Sequence, residues 1–596
     1  MWSPIRRSLA ALILLAAATA AEAAVVTRGP YLQMPSQTGM VLRWRTDVPT
    51  TSRVSYGDSP SAEFETVDDP TLTTEHVVPV TGLTAGTTAY YSVGEIGAPL
   101  AGGDLDHWFR TSPPAGSTAP YRIWSIGDAG FTGANLDAVR DAYAAFNGDS
   151  SADLFVLLGD NGYLQATDAQ YQTAVFDTHA AMLRTTPVWS VFGNHEAISS
   201  NTLTQIGPYF DLFTFPTGAE IGGTPSGTES YFSFDYGNTH FIVLDSEQAP
   251  TSPSTPMLTW LTADLAAAVL DDPTWIIALW HRPPYTRGLF HNSDTETNEI
   301  NMRQYVLPIL DSYGVDLVLN GHSHNYERSY LLDGHYGLAA TFNSSFQVDP
   351  GDGDPAGDGA YRKDDTVPAA NSGAVYVVNG SGSEVRNTTL DHPAMVRNLL
   401  ELGSLVIDVD DTTLTAQFLT STGAVHDTFR IVKGLACPPT PAAGCGSAPK
   451  GKLLLGDNAD PTKDKWKWKW KGGTLDAGDV GDPAAQTDLA VCVYDASGAL
   501  AGGTIPHGST GWTAKPTSLS YKDDTAGLHG IGKMKLGFNS GLILAKAKGG
   551  NAGVPTLPAT LPLRAQLINL DSGTCWESLF PTAKTNTSKK VVATTP

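Results

Sequence analysis

Seven side chains that could bind metal ions occur in five short motifs, and each motif directly follows a run of apolar residues. The motifs are Gly-Asp at 127, Gly-Asp-Asn-Gly-Tyr at 159, Gly-Asn-His-Glu at 193, a lone His at 281 and Gly-His-Ser-His at 321. Hard metal ions prefer oxygen ligands, whereas borderline divalent ions also accept imidazole. The pattern therefore predicts a two-metal site formed by Asp128, Asp160, Tyr163, Asn194, His281, His322 and His324.

The apolar runs before the motifs predict strands that are buried on both faces. They read RIWSI, DLFVLL, VWSVF, WIIALW and VDLVLN. In α/β proteins ligands collect beyond the carboxyl ends of such strands, so we expect the five strand ends to deliver the seven side chains to one crevice. A single Gly-Asp or Gly-Asn-His is common, but all five motifs in this order would rarely arise by chance.

The chain of 596 residues is too long for one hydrophobic core, and its patterns predict several domains. Strands alternate with helical patterns over residues 118–433, which indicates an α/β domain. We expect helices over 133–147, 168–184, 256–270 and 299–313. The segment FSFDYGNTHFIVLD predicts a hairpin that turns at Gly237-Asn238.

Two segments precede this domain. Residues 1–24 combine an Arg pair, an apolar stretch and Ala-Glu-Ala, as a cleaved signal peptide does, and the apolar stretch is shorter than the roughly 20 residues that span a bilayer. Residues 25–113 alternate polar and apolar side chains between frequent Gly, Pro, Ser and Thr, which predicts a small β-sandwich. The protein is therefore expected to be exported, either secreted or periplasmic, without an integral membrane segment.

The C-terminal part is predicted to be a linker over 434–451, an all-β module over 452–581 and a disordered tail over 582–596. Its segment Lys-Trp-Lys-Trp-Lys-Trp-Lys at 465–471 would, as a strand, present three Trp on one face and four Lys on the other. The Trp face is interpreted as core, with a strand that attaches to a surface, a glycan or an anionic polymer as the alternative. The module has no recognised activity.

Cysteine and charge are both distributed unevenly. The four cysteines, in an exported chain, indicate two disulfides, and Cys437–Cys445 with Cys492–Cys575 is the favoured of three pairings. The net charge of −24 divides into +5 from residue 436 onward and −29 before it. An acidic body argues against nucleic acid as a partner, and any attraction for a phosphate anion must be local, as bound metal ions would provide.

On these motifs residues 25–433 resemble the metallophosphoesterase superfamily and, within it, the purple acid phosphatases. The superfamily pattern of GD, GD, GNH(D/E), a lone His and GHxH is complete. Tyr163 and the segment His324-Asn325-Tyr326-Glu327-Arg328 are similar to the purple subgroup. A β-sandwich that opens with RGPYLQ is similar to the plant-type arrangement, whose N-terminal domain is fibronectin-III-like. The resemblance implies a central sandwich of two mixed sheets flanked by helices.

The resemblance also implies how the site is divided. Asp128, Asp160, Tyr163 and His324 would hold Fe(III), and Asp160, Asn194, His281 and His322 would hold a divalent ion, Zn, Mn or Fe, with Asp160 shared. His195 would contact the substrate phosphate or protonate the leaving group, and His291 would contact substrate, as Asn194 would. Glu196 is expected to orient neighbouring groups, and Glu327 with Arg328 to form a structural ion pair.

The function implied is an exported acid phosphatase that hydrolyses small phosphate monoesters by in-line attack of a metal-bound hydroxide. One alternative is a phosphodiesterase or nucleotidase on the same scaffold, because both reactions use the same pair of ions. A different alternative is a surface-binding protein whose C-terminal module carries the main role through contact with a cell surface or glycan.

Overall fold

The computed structural model describes most of the chain. The described residues are 23–60, 65–148, 151–357, 360–363, 367–386, 389–434, 437, 440–458, 460, 463–496, 498–505, 507–509, 511–523, 530–549, 552, 554 and 557–595. The predicted signal peptide lies outside them except for residues 23 and 24. None of the helices in the described ranges has the length and apolar character needed to cross a membrane.

The N-terminal region is all-β. Its six strands form one antiparallel hydrogen-bonded sheet: Val26–Ser36, Gly39–Gly57, Glu65–Val80, Thr88–Glu95, Ala98–Gly102 and Trp108–Arg110. The long second strand pairs with the first, third and fourth strands and surrounds a core that includes Trp44, Tyr91 and Phe109. The assignment of this region to the fibronectin-III-like class stays a prediction.

The RGPYLQ segment joins this region to the α/β domain. The buried Arg28 guanidinium donates to Gln172 Oε1 at 2.7 Å and to Asp168 Oδ1 at 2.9 Å. The Tyr31 hydroxyl donates to the carbonyl of Leu212 at 2.7 Å. These long-range hydrogen bonds hold the RGPYLQ segment against the α/β region.

The α/β domain consists of two seven-stranded mixed sheets, which confirms the predicted core. In spatial order one sheet contains Phe232–Tyr236, Thr239–Val243, Trp275–Leu279, Leu317–Asn320, Val375–Asn379, Tyr326–Ser329 and Met395–Leu399. The other contains Tyr361–Lys363, Val425–Lys433, Thr413–Thr420, Gly403–Asp410, Tyr121–Ile126, Leu154–Leu157 and Val188–Ser190. A short pair, Leu331–Leu332 with Gln347–Asp349, stands apart from both.

The two sheets pack face to face over a continuous apolar core. Trp189 of one sheet stacks on Phe234 of the other with ring centroids 3.7 Å apart. The five predicted motif strands all form, and their central residues are buried. Three of them are parallel neighbours in one sheet and two are parallel neighbours in the other. The sandwich therefore brings motifs from both sheets to one edge.

The predicted helices are confirmed with small shifts of their ends. The helical segments are Ala134–Asn147, Asp168–Tyr171 continuing as Gln172–Asp177 and Ala180–Leu183, Glu196–Ser199, Pro208–Leu212, Pro256–Ala268, Thr297–Asn301 continuing as Met302–Val306 and Leu307–Tyr313, and the single turns Ala339–Thr341 and Ser344–Phe346. The hairpin at Gly237-Asn238 is also confirmed. Helix Pro256–Ala268 packs its apolar side chains, Trp260 and Leu261 among them, on the outer face of one sheet.

The C-terminal module is a sandwich of an eight-stranded and a five-stranded sheet. The larger contains, in order, Trp512–Lys515, Ser518–Lys522, Ile531–Gly537, Leu542–Lys548, Lys465–Lys471, Lys450–Gly456, Lys590–Thr594 and Ala583–Thr587. The smaller contains Gly446–Ser447, Cys575–Phe580, Leu563–Asn569, Leu489–Asp495 and Gly498–Ile505, and a helical turn spans Ala477–Val480. Trp466, Trp468 and Trp470 are fully buried between the sheets, so the Trp face is core.

The ends of the predicted module are wrong on both sides. The expected tail at 582–596 contains a β-hairpin, and its strand Lys590–Thr594 pairs with Lys450–Gly456 because Val591 and Ala593 face the core. Strand Lys450–Gly456 also begins inside the expected linker at 434–451. The module therefore closes by pairing its first long strand with its last, a long-range contact that local composition does not reveal.

The expected disulfide pairing is also wrong. The bonds are Cys437–Cys492 and Cys445–Cys575. Each joins the segment before the module to a strand of the five-stranded sheet, Leu489–Asp495 or Cys575–Phe580. Sequence spacing favours neighbouring cysteines, but the sheet brings each to a distant partner.

The buried His240 side chain links strand Thr239–Val243 to helix Pro256–Ala268 through ion pairs with two carboxylates. Its Nδ1 lies 2.7 Å from Asp235 Oδ1, and its Nε2 lies 2.9 Å from Asp264 Oδ2 on helix Pro256–Ala268. Burial disfavours the imidazolium, but the two carboxylates outweigh burial and raise the pKa of His240 to about 9. Because this pKa lies above the unfolded value of about 6.5, the charge stabilises the fold fully below about pH 6.5, and the stabilisation is lost as the pH rises through about 9.

We expect His240→Gln to lower the free energy of unfolding by up to about 3 kcal/mol more at about pH 6 than at about pH 9.5. Thermal denaturation of both proteins at the two pH values measures the difference. His426→Gln is the control, because His426 makes only a half-exposed ion pair with Glu401, which is worth about 1 kcal/mol or less. An equal loss at both pH values would contradict the role of the charge.

Candidate metal centre

The ends of the motif strands bring all seven predicted ligands together in two groups. In the first group the Tyr163 hydroxyl lies 2.9 Å from Asp128 Oδ1, 3.2 Å from Asp160 Oδ2 and 2.9 Å from His324 Nε2. One phenol proton faces three groups that can accept it. Such an excess of lone pairs directed at one point is what a cation site requires.

The second group contains an amide oxygen and two imidazoles. Asn194 Oδ1 lies 3.1 Å from His281 Nε2 and 2.8 Å from His322 Nδ1. His281 Nε2 is 3.4 Å from Asp160 Oδ1, and donor atoms of Asp160, His281 and His322 all lie within 4.8 Å of one another. Asp160 therefore presents one carboxylate oxygen to each group.

An unusual backbone conformation at the strand ends orients three of these side chains. Asp128, Asp160 and His322 have φ of 54°, 54° and 68°, in the left-handed region that non-glycine residues rarely adopt. Each such residue costs on the order of 1 kcal/mol or more, and such strain persists at functional sites where the surrounding structure enforces it. Three of the seven predicted ligands share this strained conformation.

The glycines of the motifs allow the close approach. A Cβ on Gly193 would lie 2.4 Å from Asp160 Oδ1, and one on Gly321 would lie 2.6 Å from Asp128 Oδ2. Both distances are far inside van der Waals contact. Gly193 and Gly321 are therefore required, because another strand end packs against each of them.

Glu196 fixes the loops around Asp160, as expected. Its Oε2 accepts hydrogen bonds from the backbone N–H groups of Asp160 at 2.8 Å and Gly193 at 3.0 Å. Its Oε1 accepts from the Asn161 N–H at 2.9 Å and the Tyr171 hydroxyl at 3.0 Å. One fully buried carboxylate thus ties two motif loops together.

Hydrogen bonds on the far side of the rings orient the imidazoles. His281 Nδ1 lies 2.8 Å from the Leu158 carbonyl, so Nδ1–H donates to it and Nε2 is the nitrogen that would offer its lone pair to an ion. His324 Nδ1 lies 2.8 Å from Glu384 Oε2, which leaves Nε2 facing Tyr163. This arrangement of an outer acceptor and an inner lone pair is the usual one for metal-binding histidines.

The electrostatics also fit a cation. Burial would lower the pKa of His281, but Asp160 outweighs burial and raises it to about 10. Burial and, next to it, the charge of Asp128 raise the pKa of Tyr163 well above its ordinary value of 10. The buried carboxylates therefore stabilise positive charge, and only a strongly polarising ion would turn Tyr163 into a phenolate. Oxygen-rich and imidazole-rich donors side by side suit two different ions.

His195 and His291 border the seven donors. The Nδ1 of His195 lies 2.6 Å from the Leu164 carbonyl, its Nε2 lies 3.7 Å from Asp160 Oδ2, and its side chain is 23% exposed. The ring of His291 lies 3.9 Å from that of His322, centroid to centroid. All nine residues expected at the site therefore lie together, with His195 and His291 beside the seven donors.

Sequence reasoning missed several charged residues around the site. Glu296 accepts from Arg282 Nη1 at 2.8 Å and lies 3.2 Å from His291 Nδ1. Donor atoms of His291, Glu296 and His322 also lie within 4.8 Å of one another. The available signal was the position of Arg282 directly after a predicted ligand, whereas Glu384 and Glu296 lie in loops without a motif.

The expected ion pair between Glu327 and Arg328 is wrong. Arg328 pairs with Asp427, with Nε 2.6 Å from Oδ2 and Nη2 2.9 Å from Oδ1. Glu327 instead accepts a hydrogen bond from the Thr286 hydroxyl. Both residues belong to strand Tyr326–Ser329, and adjacent strand residues point to opposite faces.

Comparison with known proteins agrees with this geometry. Residues 121–326 match the sequence model of the calcineurin-like phosphoesterases. The chain is 30% identical over 340 residues to purple acid phosphatase 15 of Arabidopsis thaliana, covering 53% of this chain and 55% of that protein. It is 27% identical over 325 residues to a phosphoenolpyruvate phosphatase of Allium cepa, covering 52% and 62%.

A solved structure has the same fold. Purple acid phosphatase PPD1 from yellow lupin (Lupinus luteus) superposes with a TM-score of 0.54 at 18% identity, covering 70% of this chain and 78% of that one. The chain spans between about half and two thirds of the length of the two curated relatives. Residues 121–326 are thus a calcineurin-like phosphoesterase domain, in a chain that is similar to the purple acid phosphatases.

Proposed function

We propose that this chain is an exported phosphatase that hydrolyses small phosphate monoesters at a site for two metal ions. The observation that carries the proposal is Asp160, whose two carboxylate oxygens face two separate groups of donors. The relatives named above are phosphatases by name, which supports a monoester as the substrate. The disulfides support a secreted or periplasmic location.

The donor chemistry supports a different ion in each group. Asp128, Asp160, Tyr163 and His324 would hold Fe(III), because phenolate and carboxylate oxygens suit a trivalent ion. Asp160, Asn194, His281 and His322 would hold Zn, Mn or Fe as a divalent ion. Bound together, such ions would neutralise phosphate oxygens and lower the pKa of water, so that no covalent enzyme intermediate is needed.

Side chains next to the donors would bind the phosphate and supply a proton to the leaving group. His195 is fixed by its Nδ1 contact with Leu164 O, so its Nε2 is directed toward the donors. When protonated, that nitrogen can donate to the oxygen of the leaving group. His291 is held through Nδ1 by Glu296, and its other nitrogen would contact a phosphate oxygen. The Asn194 amide N–H can donate to the same phosphate.

Two other functions remain distinguishable by assay. A phosphodiesterase would turn over a diester at least as fast as a monoester. A surface-binding protein without catalysis would have no need for seven converging donors and three strained residues, and the intact site therefore favours an enzyme. Rates for a monoester and a diester between about pH 4 and 8, together with elemental analysis, separate these functions.

Tyr163→Phe should abolish the visible absorption band of the purified protein, because the band would arise from charge transfer between phenolate and Fe(III). Tyr171→Phe is the matched control, since that buried hydroxyl contacts Glu196 and none of the seven donors. Absorption spectra with iron content measure the effect. A band that survives in Tyr163→Phe would contradict the iron ligand, and a colourless iron-free wild type with full activity would leave only a generic two-metal phosphatase.

Asp160→Ala should remove the ligand that both ions share, so we expect both metal contents and the phosphatase rate to fall to background. Asp141→Ala, which removes an exposed carboxylate from helix Ala134–Asn147, should change neither. Elemental analysis and a monoester assay provide the measurements. Full activity in Asp160→Ala would refute the site.

His195→Gln should lower kcat for an alkyl phosphate by about 10²–10⁴-fold, the range expected for loss of a general acid. The loss should be much smaller for nitrophenyl phosphate, whose leaving group needs no proton. His291→Gln is the comparison and should raise KM for both substrates alike. An equal loss of kcat for the two substrates in His195→Gln would assign His195 to phosphate binding instead.

A further inference from the structure

The outer face of the eight-stranded sheet in the C-terminal module is strongly basic. The eight strands together contain fourteen lysines and no aspartate or glutamate. In strand Lys465–Lys471 every Trp is buried and every Lys is exposed. This face belongs to a chain whose net charge is −24. Positive charge is thus concentrated on one surface of an acidic protein.

Lysines form a continuous row across four of the eight strands and a column along one of these strands. In the row, Lys522 is opposite Lys533, Lys533 is opposite Lys546, and Lys546 is opposite Lys467. Neighbouring strands lie about 4.8 Å apart, so the row extends roughly 15 Å. The column is formed by the four lysines of strand Lys465–Lys471, spaced by about 6.7 Å, and it crosses the row at Lys467.

This arrangement destabilises the isolated module. Six lysine pairs are directly opposite each other on adjacent strands, and like charges in that position repel. Lysines on edge strands are a common protection against aggregation, but strand Lys465–Lys471 lies inside the sheet, between Leu542–Lys548 and Lys450–Gly456. Among the residues that the structure describes, its four lysines make no ion pair. A bound anion would relieve the repulsion.

We propose that this lysine face binds linear inorganic polyphosphate. In the described strands of this sheet the exposed side chains include many ammonium groups, whereas Trp466, Trp468, Trp470 and Tyr521 are buried and the partly buried Trp512 packs against the same core. Bases or sugars therefore find no ring to stack on among these residues. A ligand that offers only repeated charge matches it best. Adjacent strands also rotate by about 20–25°, so the surface turns by roughly 60–75° over the four strands of the row. A flat membrane or a rigid duplex could not contact the whole row, whereas a flexible chain can follow it.

The test uses the full chain with Asp160→Ala, so that bound polyphosphate is not hydrolysed. Lys467→Gln with Lys546→Gln removes one directly opposed pair at the crossing of row and column. Arg53→Gln with Arg140→Gln removes the same net charge from exposed ion pairs outside the module. Fluorescence anisotropy of labelled long-chain polyphosphate, measured over a range of NaCl concentrations, gives the affinity of each protein.

We expect the lysine pair to weaken binding roughly 25-fold at about 0.1 M NaCl and to reduce the slope of log affinity against log salt by roughly 1.4, from about 0.7 per lost contact. The arginine pair should change neither. The melting temperature of the lysine variant should be equal or higher, because a repulsion is removed. Absence of binding, equal losses in both variants, or tighter binding to single-stranded DNA or phosphatidylglycerol vesicles would each overturn the proposal.

Discussion

The buried carboxylate of Asp160 is the group on which the rest of the site depends. Burial alone would raise the pKa of Asp160, but His281 and His195 together outweigh burial and hold this pKa below its ordinary value. The carboxylate keeps its position through the left-handed backbone at residue 160, the absent side chain of Gly193 and the hydrogen bonds that Glu196 makes to both loops. Burying a carboxylate that faces both groups of donors costs free energy unless a cation compensates its charge. Much of the surrounding structure therefore serves one carboxylate.

The convergence of the seven predicted ligands could be predicted because their motifs follow buried strands. Short apolar runs identify strands, and parallel strands in a sandwich end at the same edge, so side chains scattered over about two hundred residues are expected at one place. The residues that hold these side chains in place could not be predicted in this way. Glu384 reaches His324, and Glu296 reaches His291, from loops whose course depends on tertiary packing. Arg328 and Glu327 were paired wrongly because adjacent strand residues face opposite ways.

The same limit applies to the C-terminal module. The alternation of Lys and Trp was sufficient to predict an amphipathic strand and its buried face. The pairing of the first long strand with Lys590–Thr594 and the disulfides of Cys437 and Cys445 depend on contacts across the whole module. Local periodicity determines which face of a strand is buried, but it carries no information on which distant strand lies beside it.

Electrostatic attraction of phosphate would differ between the candidate metal centre and the lysine face. The body before residue 436 carries −29, so it repels phosphate anions at long range, and the repulsion between exposed charges fades over about 8–10 Å in physiological salt. Within that distance a cation held among the donors around Asp160 would dominate, because buried charges are little screened. The lysine face is the opposite case: it is exposed and screened, so only many ammonium groups acting together on a long chain give a useful affinity. A single small phosphate ester would gain little there, and a polymer would gain most.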